Sequence, residues 1–593
     1  MSLNTLQSTD NIKTMNKYIN ILLDACFLFI FSLLLNTTLI KPELGLSHFS
    51  TRHELIRFGW LASPVLFIYI TLRLLRSSAI FSGYLTISII LLLDHINTEK
   101  TTLTGEPISF NDLASVNNLS VATKYITSNS TLLFLSFIIL GILCFFIGKK
   151  SSTTKKHYAL LIVSFLITTP LTFSPYVNNI FGDTSYITQK VNLLFVKYNI
   201  AYHQWDWKSN VITHGLPIHL VQTSVRESIP SFSENNRETY STYKANAISA
   251  LHRPRTIVYI LCESCWYDSN NFKTEFQPLI NAGFKAFRAT SPVYGGGTAN
   301  AEFEMLTGLP SNSGVLSGII YQEYSSLLKN NADTLPSNLQ HQGARSVAVH
   351  NFARAFWHRD IVYQKFGFDK FIALPDMGEL PSEYAVQRKP WQWQPDDFLL
   401  YRSVLNEISN NNDKPHFFHL VTMSTHGPSD FDNDFGEKAY AFKVRESMSR
   451  MIDFTEKLAS LDPNALVVVY GDHKPAMNRY FYENKVFPAN YYIKKGVKDT
   501  DFFFNKNVTA KEYGDVPVFI KNNDEESLNK LIAEANGKPF FCLSAIIDKY
   551  FIHSGLPAFN YNIEHGCLAP QDYNYQNMIK ITPSWIYALS LFS

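Results

Sequence analysis

Apolar and polar positions follow two regimes along this chain. Before residue 180 the apolar residues come in long runs: Tyr18 to Ile40, Phe58 to Leu72, Ser77 to Leu93, Leu132 to Gly148 and Tyr158 to Tyr176. A membrane-crossing helix needs about 20 mostly apolar residues, so each run predicts a span. The second and third are short enough to need Arg73 and Arg76 reaching to the interface. A cleaved signal peptide would explain one run, not five. Beyond Arg253 the runs shorten to Thr256–Leu261, Ser346–His350, His416–Met423 and Ala465–Tyr470, each followed by a turn and a stretch able to form a helix. Continuous apolar strands of this kind suit a sheet covered by helices on both faces. The pattern therefore predicts a five-helix transmembrane domain over 1–177, a juxtamembrane connector over 178–252 and an α/β soluble domain over 253–593. Residues 571–593 show no readable pattern.

Composition agrees with that division. The 593 residues are too many for one ordinary domain. Charged residues make up 17%, below the roughly 25% usual for soluble globular chains. A mean hydropathy of −0.05 is too low for a wholly embedded protein. The net charge of +2 supplies no basic face, which excludes nucleic acid as a partner. Six cysteines are too few for a disulfide-dense scaffold. Orientation follows from the short loops. Lys13 and Lys17 precede the first run, Arg73 and Arg76 separate the second from the third, and Lys149, Lys150, Lys155 and Lys156 separate the fourth from the fifth. The loop after the third run holds only Lys100 and Lys124. The N-terminus is thus expected inside and everything after Tyr176 outside. Asp24, within the first run, reads either as an interfacial residue or as a functional intramembrane acid.

Open α/β sheets bind ligands at the carboxyl ends of their strands. The four predicted strands end in Cys262-Glu263-Ser264, in His350, in Ser424-Thr425-His426-Gly427-Pro428 and in Gly471-Asp472-His473. Alone, Gly-Asp is common turn chemistry and single histidines are commonly surface or core residues. Together they predict a metal site with substrate-binding histidines. Between them lies Tyr294-Gly295-Gly296-Gly297-Thr298, opening a helix predicted through Met305. The glycines let the backbone approach a ligand, and a helix N-terminus favours an anion. Thr298 reads as part of that site or as a cap accepting a backbone hydrogen bond. No Gly-Lys-Ser/Thr follows, so this is not a Walker loop. Cys262 and Cys265 read as small inert residues rather than a redox pair, and Cys542 and Cys567 are candidates for a disulfide. The segment from Gly105 to Leu113 reads as a loop or as a surface that presents lipid.

These motifs, with Phe356-Trp357-His358-Arg359-Asp360, resemble the lipoteichoic acid synthase-like phosphoglycerol transferases of the alkaline phosphatase/sulfatase superfamily. The resemblance covers the membrane part and roughly residues 253–555. It implies a sulfatase-like, alkaline phosphatase-type fold for the soluble domain. It implies Thr298 as nucleophile and metal ligand, with Glu263, Asp472 and His473 as the remaining ligands. His350, Trp357, Arg359 and His426 match residues that hold glycerol phosphate. Leu261 departs from the pattern, since the best-known members carry histidine there. Two carboxylates, a hydroxyl and an imidazole suit Mn2+, with Mg2+ or Zn2+ as alternatives. Arg359 could fork two phosphoryl oxygens, and His426 could move a proton to or from a reacting hydroxyl. The implied donor is phosphatidylglycerol or another anionic phospholipid. The implied acceptor is a hydroxyl of an envelope glycan, glycolipid or polymer outside a bacterial cytoplasmic membrane. The alternative is phosphoethanolamine transfer, whose enzymes look different around the nucleophile and usually carry several disulfides, which this chain is not expected to have. The absence of a Cys/Ser-x-Pro-x-Arg segment speaks against a sulfatase. The complete ligand set speaks against a non-catalytic lipid sensor.

Overall fold

The chain divides after Arg226 into two units, Met1–Arg226 and Glu227–Ser593, a boundary inside the stretch read as connector. The computed structural model describes residues 19, 21–35, 38–39, 51–104, 107–110, 138–147, 154–182, 185–202, 207–225, 229–244, 253–411, 413–427, 436–497, 501–505, 507–570 and 573–593. Lys13, Lys17, Lys124, Lys149 and Lys150, on which the orientation partly rests, lie outside them, as does most of the Gly105 to Leu113 segment.

In the first unit every predicted apolar run contains a helix. Arg52–Leu74 and Ala79–Thr98 are long and apolar enough to cross a membrane. Lys155–Thr172 and Ser174–Phe181 pass the same test as a pair bent by 52°, while Ile21–Leu35 and Ile138–Ile147 are shorter apolar helices. The described residues thus give two spans, or three with the bent pair. The second run is not short. Its helix extends to 23 residues because Thr51 caps it, accepting from the Glu54 amide, and the polar turn Arg52–Arg57 joins it. Arg73 does not reach outward either. It is buried and donates from Nε and Nη2 to Asp24 at 2.8 and 3.1 Å, and Tyr69 and His157 bond the same carboxylate. A buried guanidinium next to an apolar core is tolerable only when paired in this way.

The second unit is α/β. Its strands are β1 (Thr256–Cys262), β2 (Lys285–Thr290), β3 (Arg345–His350), β4 (Lys370–Ala373), β5 (His416–Val421), β6 (Leu466–Gly471), β7 (Tyr492–Lys494), β8 (Phe502–Phe504) and β9 (Asp515–Lys521). Seven form one sheet in the order β2-β9-β6-β1-β5-β3-β4, and β7 and β8 pair separately. β6, β1, β5, β3 and β4 run parallel, whereas β9 is antiparallel to both β6 and β2. On β1, Ile257, Tyr259 and Leu261 face one core while Val258, Ile260 and Cys262 face the other. Two buried faces explain why the run is apolar without alternation. Leu261 belongs to the first core, where burying a polar side chain without a partner is costly. Register aligns the strand ends. Leu261 lies opposite Val421 and Tyr470, and His350 also lies opposite Val421. The residues that follow these strands therefore emerge together at one edge of the sheet.

Candidate active site

The tightest group at that edge is Glu263, Asp472 and His473. All three are buried, and each offers a ligand atom within 4.8 Å of the others. Backbone placement is exact enough to name its causes. The Glu263 amide donates to Thr422 Oγ1 at 3.0 Å, and Thr425 Oγ1 donates to the Glu263 carbonyl. Ser264, at φ 54°, aims its amide at Asp472 Oδ1, 2.6 Å away, and the His473 amide adds a second bond at 2.9 Å. A non-glycine residue held at positive φ costs on the order of 1 kcal/mol, and such strain tends to sit at functional sites.

His473 Nδ1 is 2.9 Å from the Lys474 carbonyl, which can only accept, so Nδ1 carries the proton and Nε2 presents a lone pair. Nε2 lies 3.5 Å from Glu263 Oε1 and 3.2 Å from Asp472 Oδ2. Neither Nε2 nor Asp472 Oδ2 has a hydrogen-bond partner among the described residues. Burial and the neighbouring Glu263 charge push the Asp472 carboxyl well up, and burial pulls the His473 imidazole down. Burial also disfavours the Glu263 carboxylate, but the histidines 426 and 473 and the Ser264 and Thr298 hydroxyls outweigh it and hold its pKa down. Two buried carboxylates beside an imidazole lone pair, with orphaned atoms between them, fit a divalent cation. The donor set does not separate Mn2+ from Mg2+ or Zn2+.

Thr298 is the first residue of the helix Thr298–Thr307. Gly297, at φ 85°, supplies the left-handed turn into it, and Gly308, at φ 69°, ends it against Phe559. The side chain does not cap the helix: no such bond exists, and the hydroxyl instead donates to Glu263 Oε2 at 3.1 Å. The capping alternative is thereby removed.

A cavity of about 520 Å³ opens beside this group, lined by Glu263, Thr298, His473, His350, Trp357, Arg359 and His426. Seven of the eight residues singled out in the sequence thus face one space, and Asp472 lies behind it. His350 donates from Nδ1 to the Val421 carbonyl at 2.9 Å, leaving a buried Nε2 with no partner among the described residues. Burial and the Arg359 charge pull its pKa down to about 3. His350 is therefore neutral and offers an acceptor, suited to a hydroxyl rather than to a phosphoryl oxygen. His426 likewise bonds the Gly427 carbonyl through Nδ1 at 2.7 Å, so its Nε2 is the basic atom. Its loop is pinned where Asp397 accepts from the Met423 and Ser424 amides and where Gln394 and Lys443 donate to the His426 carbonyl. Trp357 and His358 both sit at positive φ, 60° and 56°, in the turn before Arg359. Arg359 itself is buried and paired with Glu302.

Two features went unread in the sequence. Asn478, Arg479 and Phe502 also line the cavity, and the first two follow Asp472-His473 closely enough for proximity to have been a signal. Cys262 and Cys265 are joined as a disulfide around Glu263, not inert thiols as expected. Cys542 and Cys567, the candidate pair, form the second one. The expectation that disulfides are lacking is corrected: both bridges sit in the second unit.

Residues 255–525 match the family model described as Sulfatase. A Rhizobium meliloti protein named for cyclic beta-1,2-glucan modification is 28% identical over 265 residues, 41% of this chain and 39% of its own length. The lipoteichoic acid synthase of Staphylococcus saprophyticus is 26% identical over 266 residues, 41% of this chain and 38% of that protein. The matched stretch thus spans well under half of either relative. Among solved structures, a phosphoglycerol transferase of Streptococcus pyogenes in complex with sn-glycerol-1-phosphate is 20% identical, with a TM-score of 0.35, covering 56% of this chain and 91% of that one. The periplasmic domain of a zinc-bound Escherichia coli protein, EcEptC, is 12% identical, with a TM-score of 0.37, covering 55% and 89%.

Proposed function

We propose that this chain, whose residues 255–525 match the Sulfatase family model and which is similar to a lipoteichoic acid synthase, is a membrane-anchored phosphoglycerol transferase of the alkaline phosphatase/sulfatase superfamily. The observation that carries the reading is the Thr298 hydroxyl, 3.1 Å from Glu263 Oε2, at the wall of a cavity shared with His350, Arg359 and His426. Thr298 gives up its hydroxyl proton to solvent, and its Oγ attacks the phosphorus of phosphatidylglycerol. The bond from phosphorus to the diacylglycerol oxygen breaks, that oxygen takes a proton, and a glycerophospho-threonine remains. An acceptor hydroxyl of an envelope glycan, glycolipid or polymer then gives up its proton and takes the glycerol phosphate, and the departing Thr298 Oγ regains a proton from solvent.

His426 Nε2 carries the proton in both steps, as acid and then as base. His350 Nε2 accepts from a glycerol hydroxyl, and Trp357 walls the glycerol. Arg359 donates to the phosphoryl oxygens as charge builds on them. Glu263, Asp472, His473 and Thr298 would hold the divalent ion, with manganese the first choice. Such an ion would lower the Thr298 hydroxyl pKa and neutralise phosphoryl charge. We place five spans in the first unit and the soluble unit outside the cytoplasmic membrane of a bacterium. Two disulfides in that unit support an oxidising compartment.

The same bridges favour a second reading, phosphoethanolamine transfer. Vesicles separate the two. The full chain with manganese is expected to release diacylglycerol from phosphatidylglycerol vesicles and not from phosphatidylethanolamine vesicles. The reverse preference selects the second reading, and release from neither by folded protein contradicts both.

A further inference from the structure

Glu302 lies four residues after Thr298 on the same helix, so the two side chains leave one face a single turn apart. Its carboxylate is fully buried, and so is the guanidinium it meets. Glu302 Oε1 accepts from Arg359 Nε at 3.1 Å and from Nη2 at 2.5 Å, while Oε2 lies 3.3 Å from Nε. Tyr363 donates its hydroxyl to Oε2 at 2.5 Å, and His419 Nε2, on β5, stands 3.4 Å from the same oxygen. Burial would raise the Glu302 pKa, but Arg359 and His419 hold it far below the usual carboxylate range, so the pair is ionic.

A guanidinium has five N–H groups. Glu302 takes the side edge, Nε–H and one N–H of Nη2, and Nη1 approaches the Phe356 carbonyl at 3.4 Å. One N–H remains on each terminal nitrogen, and Arg359 lines the cavity. The sequence reading of Arg359 as a fork is thereby narrowed to its end edge. The pair is also neutral as a whole, so Arg359 adds directed donors rather than net positive charge.

Resting on the phosphotransfer reading above, we infer that Glu302 is the positioning residue for Arg359. From the helix that begins at Thr298, it aims the end fork of the guanidinium at the phosphoryl group Thr298 attacks. One rigid helix then sets both the attacking oxygen and the group that receives the developing charge, and such charge stabilisation depends on donors fixed in advance. A purely structural ion pair would alter stability and leave the distribution of effects between KM and kcat unmoved.

The test uses the full chain, phosphatidylglycerol vesicles and diacylglycerol release for wild type, Thr298→Ala, Glu302→Gln and Tyr363→Phe. Glu302→Gln is expected to lose about 10²-fold in kcat. KM should stay level or fall, because the Arg359 charge is no longer offset, and bound metal should be unchanged. Tyr363→Phe removes one bond to Glu302 at little cost in volume and is expected to lose about tenfold in kcat with KM unchanged. It decides the matter where Glu302→Gln does not fold. Wild-type kcat in either folded variant, or a loss confined to KM, overturns the inference. An inert wild type, or Thr298→Ala at the wild-type rate, instead overturns the phosphotransfer reading on which the inference rests.

Discussion

Each unit buries a carboxylate cluster, and the two follow opposite rules. In the first unit Asp24 is closed: Tyr69, Arg73 and His157 reach its two oxygens, and a permanent cation balances its charge. In the second, among the described residues, Glu263 and Asp472 lie side by side with only His473 ion-paired to them, and Asp472 Oδ2 and His473 Nε2 stay without a hydrogen-bond partner. Burial makes an unpaired polar atom costly, so a cluster that stays open is kept for something that fills it. A closed one ties helices together. Asp24 thus reads as a tie rather than as the intramembrane functional acid that its position in an apolar run allowed. The second unit also holds an intermediate case. Glu304 Oε1 accepts from the Ser311 amide and hydroxyl at 2.8 and 2.9 Å, while its buried Oε2 has no partner among the described residues.

Removing one ligand of the open cluster breaks the comparison most severely. Asp472→Asn should lose bound divalent metal, measured by elemental analysis of the purified full chain. Transfer should fall on the order of 10³-fold, the loss of several kcal/mol of charge stabilisation. Metal retained at wild-type occupancy would make the open cluster as structural as the closed one.

The closed cluster should answer in stability alone. Asp24→Ala leaves the Arg73 charge buried without a partner, which costs about 3–5 kcal/mol. The expected result is a lower melting temperature in detergent, with activity per folded molecule kept. Adding Arg73→Leu should recover most of the stability, because an apolar replacement of a buried pair is often neutral. Loss of turnover without loss of stability would give Asp24 a functional role.

Glu304 should show the smallest effect, confined to one pH window. Burial raises its pKa to about 7 from an unfolded value near 4.5. The folded state binds more protons between those values, so stability falls as pH rises through the window. Glu304→Gln should abolish that slope, making the variant more stable than wild type at pH 8 by at most about 3 kcal/mol. The advantage should vanish below about pH 4.5. Parallel melting curves from pH 4 to 8 would mean that Glu304 is not held protonated by burial.

What the sequence revealed depended on burial. The four strands that carry the site are buried on both faces and read as unbroken apolar runs. β2 carries Lys285 and Arg288, β9 contains Pro517, and β4 has four residues, so none produced such a run. Residues 573–593 fold as short helical turns whose Tyr587, Leu589 and Leu591 enter the core, too brief for periodicity to show. Thr298, Trp357 and Arg359 were assigned by the family resemblance, whereas Glu263, His350, His426 and His473 could be grouped because strand ends converge by register. Glu302 could not, since a glutamate inside a helix reads as solvent-facing until the partner that buries it, 57 positions away, is known. The pairing of Cys262 with Cys265 was hidden for the same reason: spacing does not say whether two thiols meet.

The central claim is that Thr298 becomes covalently substituted. The direct measurement is the intact mass of the full chain after mixing with phosphatidylglycerol vesicles and manganese, with no acceptor and with acid quench, followed by peptide mapping. Wild type should gain one glycerophosphoryl group, on the peptide containing Thr298, and Thr298→Ala should gain none. Losing a nucleophile in this way costs on the order of 10⁶-fold in rate. A folded Thr298→Ala protein that still releases diacylglycerol at the wild-type rate would contradict the account.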